Sequence, residues 1–207
     1  MNRRLFLQSI GLSGLALLAP NSWAQTELMT GVHYKVLKKP QPIAPAKKKV
    51  VEVFGYGCPH CYHLEDSLNE WLKNKPEDVE FERMPVVFNN PNWIFMARVF
   101  YTAQELGILE QSHEAFFHAI HRDRKPLFSV DALADFYTQF GVEKQKFIDT
   151  YTGFSVDQKI RQAGKLTRDY EVEGVPALIV NGKYLTDVPM AGSRKELWQV
   201  VDQLVEM

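Results

Sequence analysis

One short stretch constrains this 207-residue chain more than any other, because two cysteines stand where a strand pattern changes into a helix pattern. Residues 50–54 form a run rich in valine with a single acid inside it, which predicts a buried strand. After Pro59, apolar residues recur at helical spacing, at Leu64, Leu68, Trp71 and Leu72. Cys58 and Cys61 are therefore predicted in the first turn of a helix, where Pro59 is also well tolerated.

The start of a helix changes the chemistry of a thiol. The amide groups of the first turn lack intrahelical acceptors, and the helix dipole places its positive end there, so negative charge is favoured. A cysteine in this position is shifted towards the thiolate, the form that attacks disulfides. Cys58 is the outer cysteine, and Cys61 can reach back to it from one turn later. His60, between them, either tunes the Cys58 sulfur or is a solvent-facing spacer.

A zinc site and a static disulfide both fit the cysteine pair less well than redox chemistry does. Cys58 and Cys61 are the only cysteines in the chain, so a zinc site would lack its usual four ligands. A static disulfide that closes so small a loop would stabilise the fold little. The pair is therefore interpreted as a redox-active C-x-x-C motif.

The first 24 residues are predicted to be an export signal that is removed. Arg3 and Arg4 are followed by an apolar stretch that is too short and too interrupted to span a bilayer, and Ser22-Trp23-Ala24 provides a cleavage site. The mature chain would begin at Gln25. The paired arginines are compatible with the twin-arginine route as well as with the general export route.

Strand and helix patterns alternate at both ends of the remaining chain, whereas its middle is purely helical. The predicted strands are residues 33–37, 49–54, 79–87, 175–180 and 183–185. The predicted helices are residues 59–74, 92–106, 109–121, 129–140, 143–151, 156–170 and 194–205. Ser129 and Ser155 are predicted helix caps, Ser193 begins a capping box, and Asn181-Gly182 is a hairpin signal.

Charge and histidine spacing argue against a nucleic-acid interface and against a histidine metal site. A formal net charge of −1 gives no indication of nucleic-acid binding. A metal site at His113, His118 and His121 is unfavoured because these residues do not share one helical face. They are predicted to be exposed helix residues. The aromatic residues of the helical middle are expected to form its core, with a few of them facing a groove beside the cysteines.

The whole pattern resembles the thioredoxin fold. A helical insertion, an export signal and the tetrapeptide Cys58-Pro59-His60-Cys61 are together similar to the DsbA family of periplasmic thiol:disulfide oxidoreductases. The resemblance implies an α/β fold, a thioredoxin fold with an inserted all-helical subdomain. Its discontinuous thioredoxin-like domain would comprise residues 25–88 and 171–207, and the insertion residues 89–170.

The resemblance also implies roles for single residues. Cys58 would be the nucleophile that forms the mixed disulfide, and Cys61 the resolving thiol. Pro176 matches the family's cis-proline, and the backbone of Val175 beside it would pair with an extended substrate strand.

Glu52 matches a buried acid that moves protons at the resolving cysteine in this family. An acid inside an apolar strand needs a partner or a raised pKa, and Arg83 on the neighbouring strand is the candidate partner. A purely structural ion pair is the alternative.

The activity implied by the resemblance is donation of the Cys58–Cys61 disulfide to reduced, newly exported proteins in the periplasm. A DsbB-like membrane protein linked to quinone would re-oxidise the chain, which would act as a monomer without cofactor, metal or nucleic acid. Two alternatives remain, an isomerase or reductase on the same fold and a peptide-binding chaperone with an incidental cysteine pair. The glycine-rich residues 55–57 depart from better-known members, so substrate preference does not transfer.

Overall fold

A five-stranded sheet forms the centre of the molecule in the computed structural model, which describes residues 27–43 and 47–207. The predicted export signal lies outside these residues. The strands are β1 (Lys35–Val36), β2 (Lys48–Phe54), β3 (Val79–Pro85), β4 (Ala177–Val180) and β5 (Tyr184–Thr186). Their spatial order is β1-β5-β4-β2-β3.

Strand β2 is central and leads directly to the cysteines. It pairs parallel with β3 and antiparallel with β4, and its last five residues are buried. Strands β4 and β5 form the predicted hairpin, in which Asn181 and Gly182 both have positive φ angles, of 52° and 62°. Both turn residues thus adopt the conformation that an Asn-Gly hairpin favours.

Eight helices surround this sheet in the described part of the chain. They are α1 (Pro59–Asn74), α2 (Pro91–Glu105), α3 (Leu109–His121), α4 (Val130–Tyr137), α5 (Lys144–Tyr151), α6 (Phe154–Asp169), α7 (Val188–Ala191) and α8 (Arg194–Val205). Helices α2 to α6 lie between β3 and β4 along the chain, where the sequence predicts only helical structure. No helix among the described residues is long and apolar enough to cross a bilayer.

The predicted helix starts are confirmed in two cases and wrong in one. The Ser129 and Ser193 side chains accept hydrogen bonds from the amides of Ala132 and Glu196. Ser155 does not cap α6, because that helix begins at Phe154 and has Gly153 as its N-cap. The sequence pattern does not predict the four-residue helix α7, since it is too short to show a period.

The two faces of β2 are covered by different layers. Val51 and Val53 belong to a hydrophobic cluster that continues through the aromatic side chains of the insertion. Val50 belongs to a second cluster, built with α1 and α8, which includes the stacked rings of Trp71 and Trp198. The insertion therefore packs on the sheet directly behind the cysteines.

Gly55 permits a close contact between the insertion and the loop that leads to the cysteines. A Cβ atom at this position would stand 2.3 Å from the Trp93 ring of α2. A Cβ atom at Gly57, two residues later, would meet nothing within 4 Å. The two glycines therefore differ in what they contribute to packing.

This difference gives a first prediction. Gly55→Ala should lower the free energy of unfolding by about 1–3 kcal/mol, because the Trp93 ring has to move. Gly57→Ala is the matched control and should change that free energy by no more than about 0.5 kcal/mol. Urea unfolding of both variants measures the difference, and equal effects would contradict the assigned contact.

Candidate active site

The Cys58 sulfur caps the helix that carries Cys61. Cys58 has extended backbone angles and is the N-cap residue of α1, so Pro59 occupies the first helical position. Its sulfur accepts a hydrogen bond from the Cys61 amide at 3.2 Å, and its thiol donates to the Val175 carbonyl at 3.3 Å. The two sulfurs are not joined, so the structure describes the dithiol form.

The two thiols have opposite acidities although they are one turn apart. The pKa of Cys58 is lowered to about 6, and the largest cause is a hydrogen bond from the Cys61 thiol. The amides of Cys61 and His60 and the charge of His60 lower it further, against the opposing effect of burial. Burial raises the pKa of the Cys61 thiol far above its usual range, and the nearby Cys58 and Glu52 add to this. Cys58 is thus the thiol that ionises at neutral pH.

The loop before β4 brings the remaining predicted residues to the same place. The Val175–Pro176 peptide bond is cis, as the resemblance implies, and the Val175 carbonyl faces the Cys58 sulfur. Together with His60, His63 and other residues, this loop lines a groove of about 440 Å³. His60 is exposed at its edge.

A second groove includes Gly57, the residue before Cys58. It has a volume of about 490 Å³ and is lined by Gly57, Pro91, Asn92, Trp93, Phe95, Met96 and Phe128. The ring of Phe128 is 77 % exposed, although large apolar residues are usually buried. The expectation that some aromatic residues of the insertion face a groove beside the cysteines is therefore confirmed for Phe95.

Behind the cysteines, two acids share one arginine. Arg83 donates from Nε to Glu52 at 3.1 Å and from Nη2 to Glu65 at 3.0 Å. Glu52 is fully buried, and burial, in spite of the Arg83 charge, raises its pKa to about 8. Burial also acts to raise the pKa of Glu65, but His113 and Arg83 outweigh it and hold that pKa below its usual range.

His113 is buried, so the prediction of an exposed residue is wrong. It is 6 % exposed, with Nδ1 at 2.8 Å from the Tyr56 hydroxyl and Nε2 at 3.6 Å from Glu65 Oε1. Burial lowers its pKa, so the ring is neutral at pH 7. His118 and His121 are half-buried.

Sequence reasoning missed Glu65 and His113, although a signal existed for both. Glu65 lies four residues after Cys61 and three before Leu68, on the apolar face of α1. His113 precedes Phe116 and Phe117 by three and four residues, on the apolar face of α3. A polar residue at such a position requires a buried partner.

A further contact ties the insertion to the cysteine helix. The His121 ring nitrogen Nε2 lies 2.7 Å from the carbonyl oxygen of Tyr56, and its ring stacks on Tyr62 at 5.1 Å between centroids. Helix α3 thus contacts the chain on both sides of the cysteine pair. Among the residues that the structure describes, no group of three or more His, Cys, Asp or Glu side chains could hold a metal ion.

The chain is similar to known proteins both in sequence and in structure. The DSBA-like thioredoxin domain family matches residues 49–197. The thiol:disulfide interchange protein DsbA of Burkholderia cepacia is 40 % identical over 203 residues, which are 97 % of this chain and 93 % of that protein. The protein of the same name from Azotobacter vinelandii is 38 % identical over 99 % of this chain and 97 % of its own length.

Solved structures agree in fold. The crystal structure of Pseudomonas aeruginosa DsbA E82I has a TM-score of 0.82 at 39 % identity and covers 87 % of this chain and 97 % of that chain. The oxidoreductase DsbA from Xylella fastidiosa has a TM-score of 0.80 at 33 % identity, with 86 % and 96 % covered. The fold is therefore thioredoxin-like with a helical insertion.

The site geometry gives a second prediction, on the acidity of Cys58. Thiolate absorbance of the reduced protein should titrate near pH 6, and Cys61→Ala should raise that midpoint because it removes the hydrogen bond that lowers the Cys58 pKa most. A thiol whose pKa is lowered by folding stabilises the reduced protein fully at pH values above its pKa in the unfolded chain. This stabilisation fades as the pH falls through the pKa of the thiol in the folded protein. The free energy of unfolding of the reduced form relative to the oxidised form should therefore rise from pH 5 to pH 8. A difference that does not change with pH would contradict the assignment.

Proposed function

Because the chain belongs to the DsbA-like thioredoxin domain family of protein thiol:disulfide oxidoreductases, we propose that it donates its Cys58–Cys61 disulfide to reduced, newly exported proteins. The observation that carries this proposal is the position of the Cys58 sulfur. It caps a helix, lies 3.2 Å from the Cys61 amide, and belongs to a residue whose near neighbours Gly57 and His60 line two separate grooves.

The reaction proceeds through a mixed disulfide. A substrate thiolate attacks Cys58 Sγ, the Cys58–Cys61 bond breaks, and Cys61 leaves with the electron pair and takes up a proton. A second substrate thiolate then attacks the substrate sulfur of the mixed disulfide, and Cys58 leaves as a thiolate. The substrate loses two electrons and gains a disulfide, and the enzyme ends as the dithiol.

The lowered pKa of Cys58 gives the reaction its direction. A thiolate that is stable at the working pH favours the reduced enzyme, so the disulfide is readily passed on. With a pKa of about 6, roughly one unit is effective at pH 7, which is at most about 1.4 kcal/mol and on the order of 30 mV towards oxidation. This figure is an upper bound, because solvent that reaches the sulfur screens part of the interaction.

Glu52 is the group that we assign to the proton step at Cys61. The buried Cys61 sulfur needs a proton as soon as it leaves, because burial raises its pKa far above neutrality. Glu52, with a pKa of about 8, holds a proton at pH 7 and lies in the same buried region. A purely structural ion pair with Arg83 would require Glu52 to stay ionised, which burial and the charge of Glu65 disfavour in spite of the Arg83 charge.

Substrate binding is assigned to the loop of Val175 and Pro176 and to the grooves beside it. Val175 is half-buried next to the Cys58 sulfur, where an extended substrate strand can pair with its backbone. His60, exposed at the groove edge and close enough for its charge to stabilise the Cys58 thiolate, is assigned to tuning the redox potential.

The location and partners follow from the same proposal. The first 24 residues direct export, by either route, and the mature chain acts in the periplasm as a monomer. The partner that restores the disulfide is a DsbB-like membrane protein that passes the electrons to quinone. The redox-active disulfide takes the place of a cofactor.

Two cysteine variants test the proposal. Cys58→Ser should abolish oxidation of a reduced model substrate, because it removes the attacked sulfur. Cys61→Ser should accumulate mixed disulfides through Cys58, because the resolving thiol is missing. Non-reducing gels and mass spectrometry of the trapped species measure both effects. Full function of Cys58→Ser would indicate a chaperone, and repair of scrambled disulfides without net oxidation would indicate an isomerase.

A further inference from the structure

The buried acids behind the cysteines do not have the same surroundings. Glu65 Oε2 accepts from Arg83 at 3.0 Å, whereas its Oε1 makes no hydrogen bond within the described part of the chain but lies 3.6 Å from His113 Nε2, which has no hydrogen-bond partner either. Glu52 accepts from Arg83 through Oε2 at 3.1 Å, whereas its buried Oε1 has no hydrogen-bond partner among residues 27–43 and 47–207. Glu65 therefore has two nitrogen-bearing neighbours within 4 Å, Arg83 and His113, whereas Glu52 has Arg83 alone among the described residues.

The tautomer of the neutral His113 ring can be derived from its two neighbours. A neutral imidazole has one N–H donor and one acceptor nitrogen. The Glu65 carboxylate can only accept, and the Tyr56 hydroxyl can donate, because burial keeps that phenol protonated. The tautomer that satisfies both has its proton on Nε2 towards Glu65 and accepts from Tyr56 at Nδ1, where the distance is 2.8 Å.

Burial strengthens the charge interactions among these groups and thereby affects which of the two acids keeps a proton. Glu52, Glu65 and His113 are at most 6 % exposed, and Arg83 supplies a single positive charge between the two acids. Two carboxylates beside one buried arginine leave an unpaired negative charge, so one acid keeps a proton at neutral pH. The neighbours of Arg83 decide which acid that is.

We propose that His113, a residue of the helical insertion, is a positioning residue for the proton step at Cys61. Its ring holds Glu65 as a carboxylate against Arg83, which leaves Glu52 as the acid that carries the exchangeable proton. This inference rests on the proposed function, because it takes Glu52 to be the group that serves Cys61.

A polar cavity supports the assignment by giving solvent access to one end of the cluster. It has a volume of about 310 Å³, and Glu65, Arg83 and His113 are among its lining residues. Glu110 and Glu114 of the same helix as His113 and Glu82 of β3 also line this cavity. Among the described residues, Glu65 has the one carboxylate within 4 Å of a His113 ring nitrogen, so the Nε2–H is directed towards Glu65.

The inference predicts an exchange of roles between the two acids when His113 is removed. In His113→Phe, Glu65 loses a donor and its pKa rises, so that the Arg83 charge becomes available to Glu52. The pKa of Glu52 should then fall by roughly 1 unit or more. The two titrations are coupled, so both carboxyl groups have to be followed.

Carboxyl ¹³C NMR of the reduced full-length mature protein between pH 4 and pH 10 measures this exchange, with resonances assigned through Glu52→Gln and Glu65→Gln. His113→Gln keeps an N–H donor and should restore titrations close to those of the wild type. His118→Phe on the same helix is the matched control, since His118 faces Glu114 at 3.8 Å outside the cluster. In a Glu65→Gln background, His113→Phe should no longer move the Glu52 titration.

Unchanged Glu52 and Glu65 titrations in His113→Phe, or an equal change in His118→Phe, would overturn the inference. If the Phe variant does not fold, His113→Leu tests the same prediction, and Tyr56→Phe, which releases Nδ1, should shift Glu52 in the same direction by less. The titrations do not depend on substrate oxidation. A chain that fails to oxidise thiols but shows the exchange would therefore refute the proposed function and leave the role of His113 standing.

The pH profile of substrate oxidation is the second readout. The step that needs protonated Glu52 should weaken at a lower pH in His113→Phe than in the wild type, by the same shift that NMR reports. A reduced rate at every pH with an unmoved profile would indicate that His113 acts only on packing, and would contradict its role in the proton step.

Discussion

The hydrogen bonding of Cys61 to the Cys58 sulfur, first from its thiol and also from its amide, is the interaction on which the chemistry of this protein depends. It exists because β2 delivers Cys58 to the N-cap position of α1, where the sulfur replaces the oxygen of an ordinary capping residue. The same geometry makes Cys58 acidic and leaves Cys61 buried and neutral. A nucleophile and a resolving thiol thus arise from one helix start.

The rest of the fold holds this helix start in place from two sides. On one side, the loop of Val175 and Pro176 presents a carbonyl to the sulfur. On the other side, the insertion packs Trp93 against Gly55, and His121 contacts the Tyr56 carbonyl. The insertion also supplies His113 to the buried acids, so it contributes to the electrostatics of the site as well as to its shape.

Sequence patterns are sufficient to predict elements whose signals are local. The strand before Cys58, the helix of residues 59–74 and the Asn181-Gly182 hairpin depend on periodicity and turn chemistry, and all three are present. The pairing of Glu52 with Arg83 is also predictable, because adjacent parallel strands place these residues opposite each other.

Contacts between distant elements cannot be predicted in the same way. The spacing of His113, His118 and His121 leads to the prediction that His113 is exposed. That prediction does not consider the apolar helix face that His113 shares with Phe116 and Phe117. Its partner Glu65 comes from α1, and no local pattern states that α1 and α3 meet. The second groove likewise depends on Phe128, in the connection between α3 and α4, approaching the start of α2.

The redox equilibrium of the purified mature protein with glutathione at pH 7 tests the central claim most directly, with the oxidised fraction followed by Trp fluorescence. Stabilisation of the Cys58 thiolate predicts a potential more oxidising than that of thioredoxin, which is about −270 mV, with the thiolate contributing up to about 30 mV. It also predicts that Cys61→Ala, which cannot form the internal disulfide, has a less acidic Cys58. A potential close to that of thioredoxin would contradict the account, because the helix start would then not be favouring the reduced form.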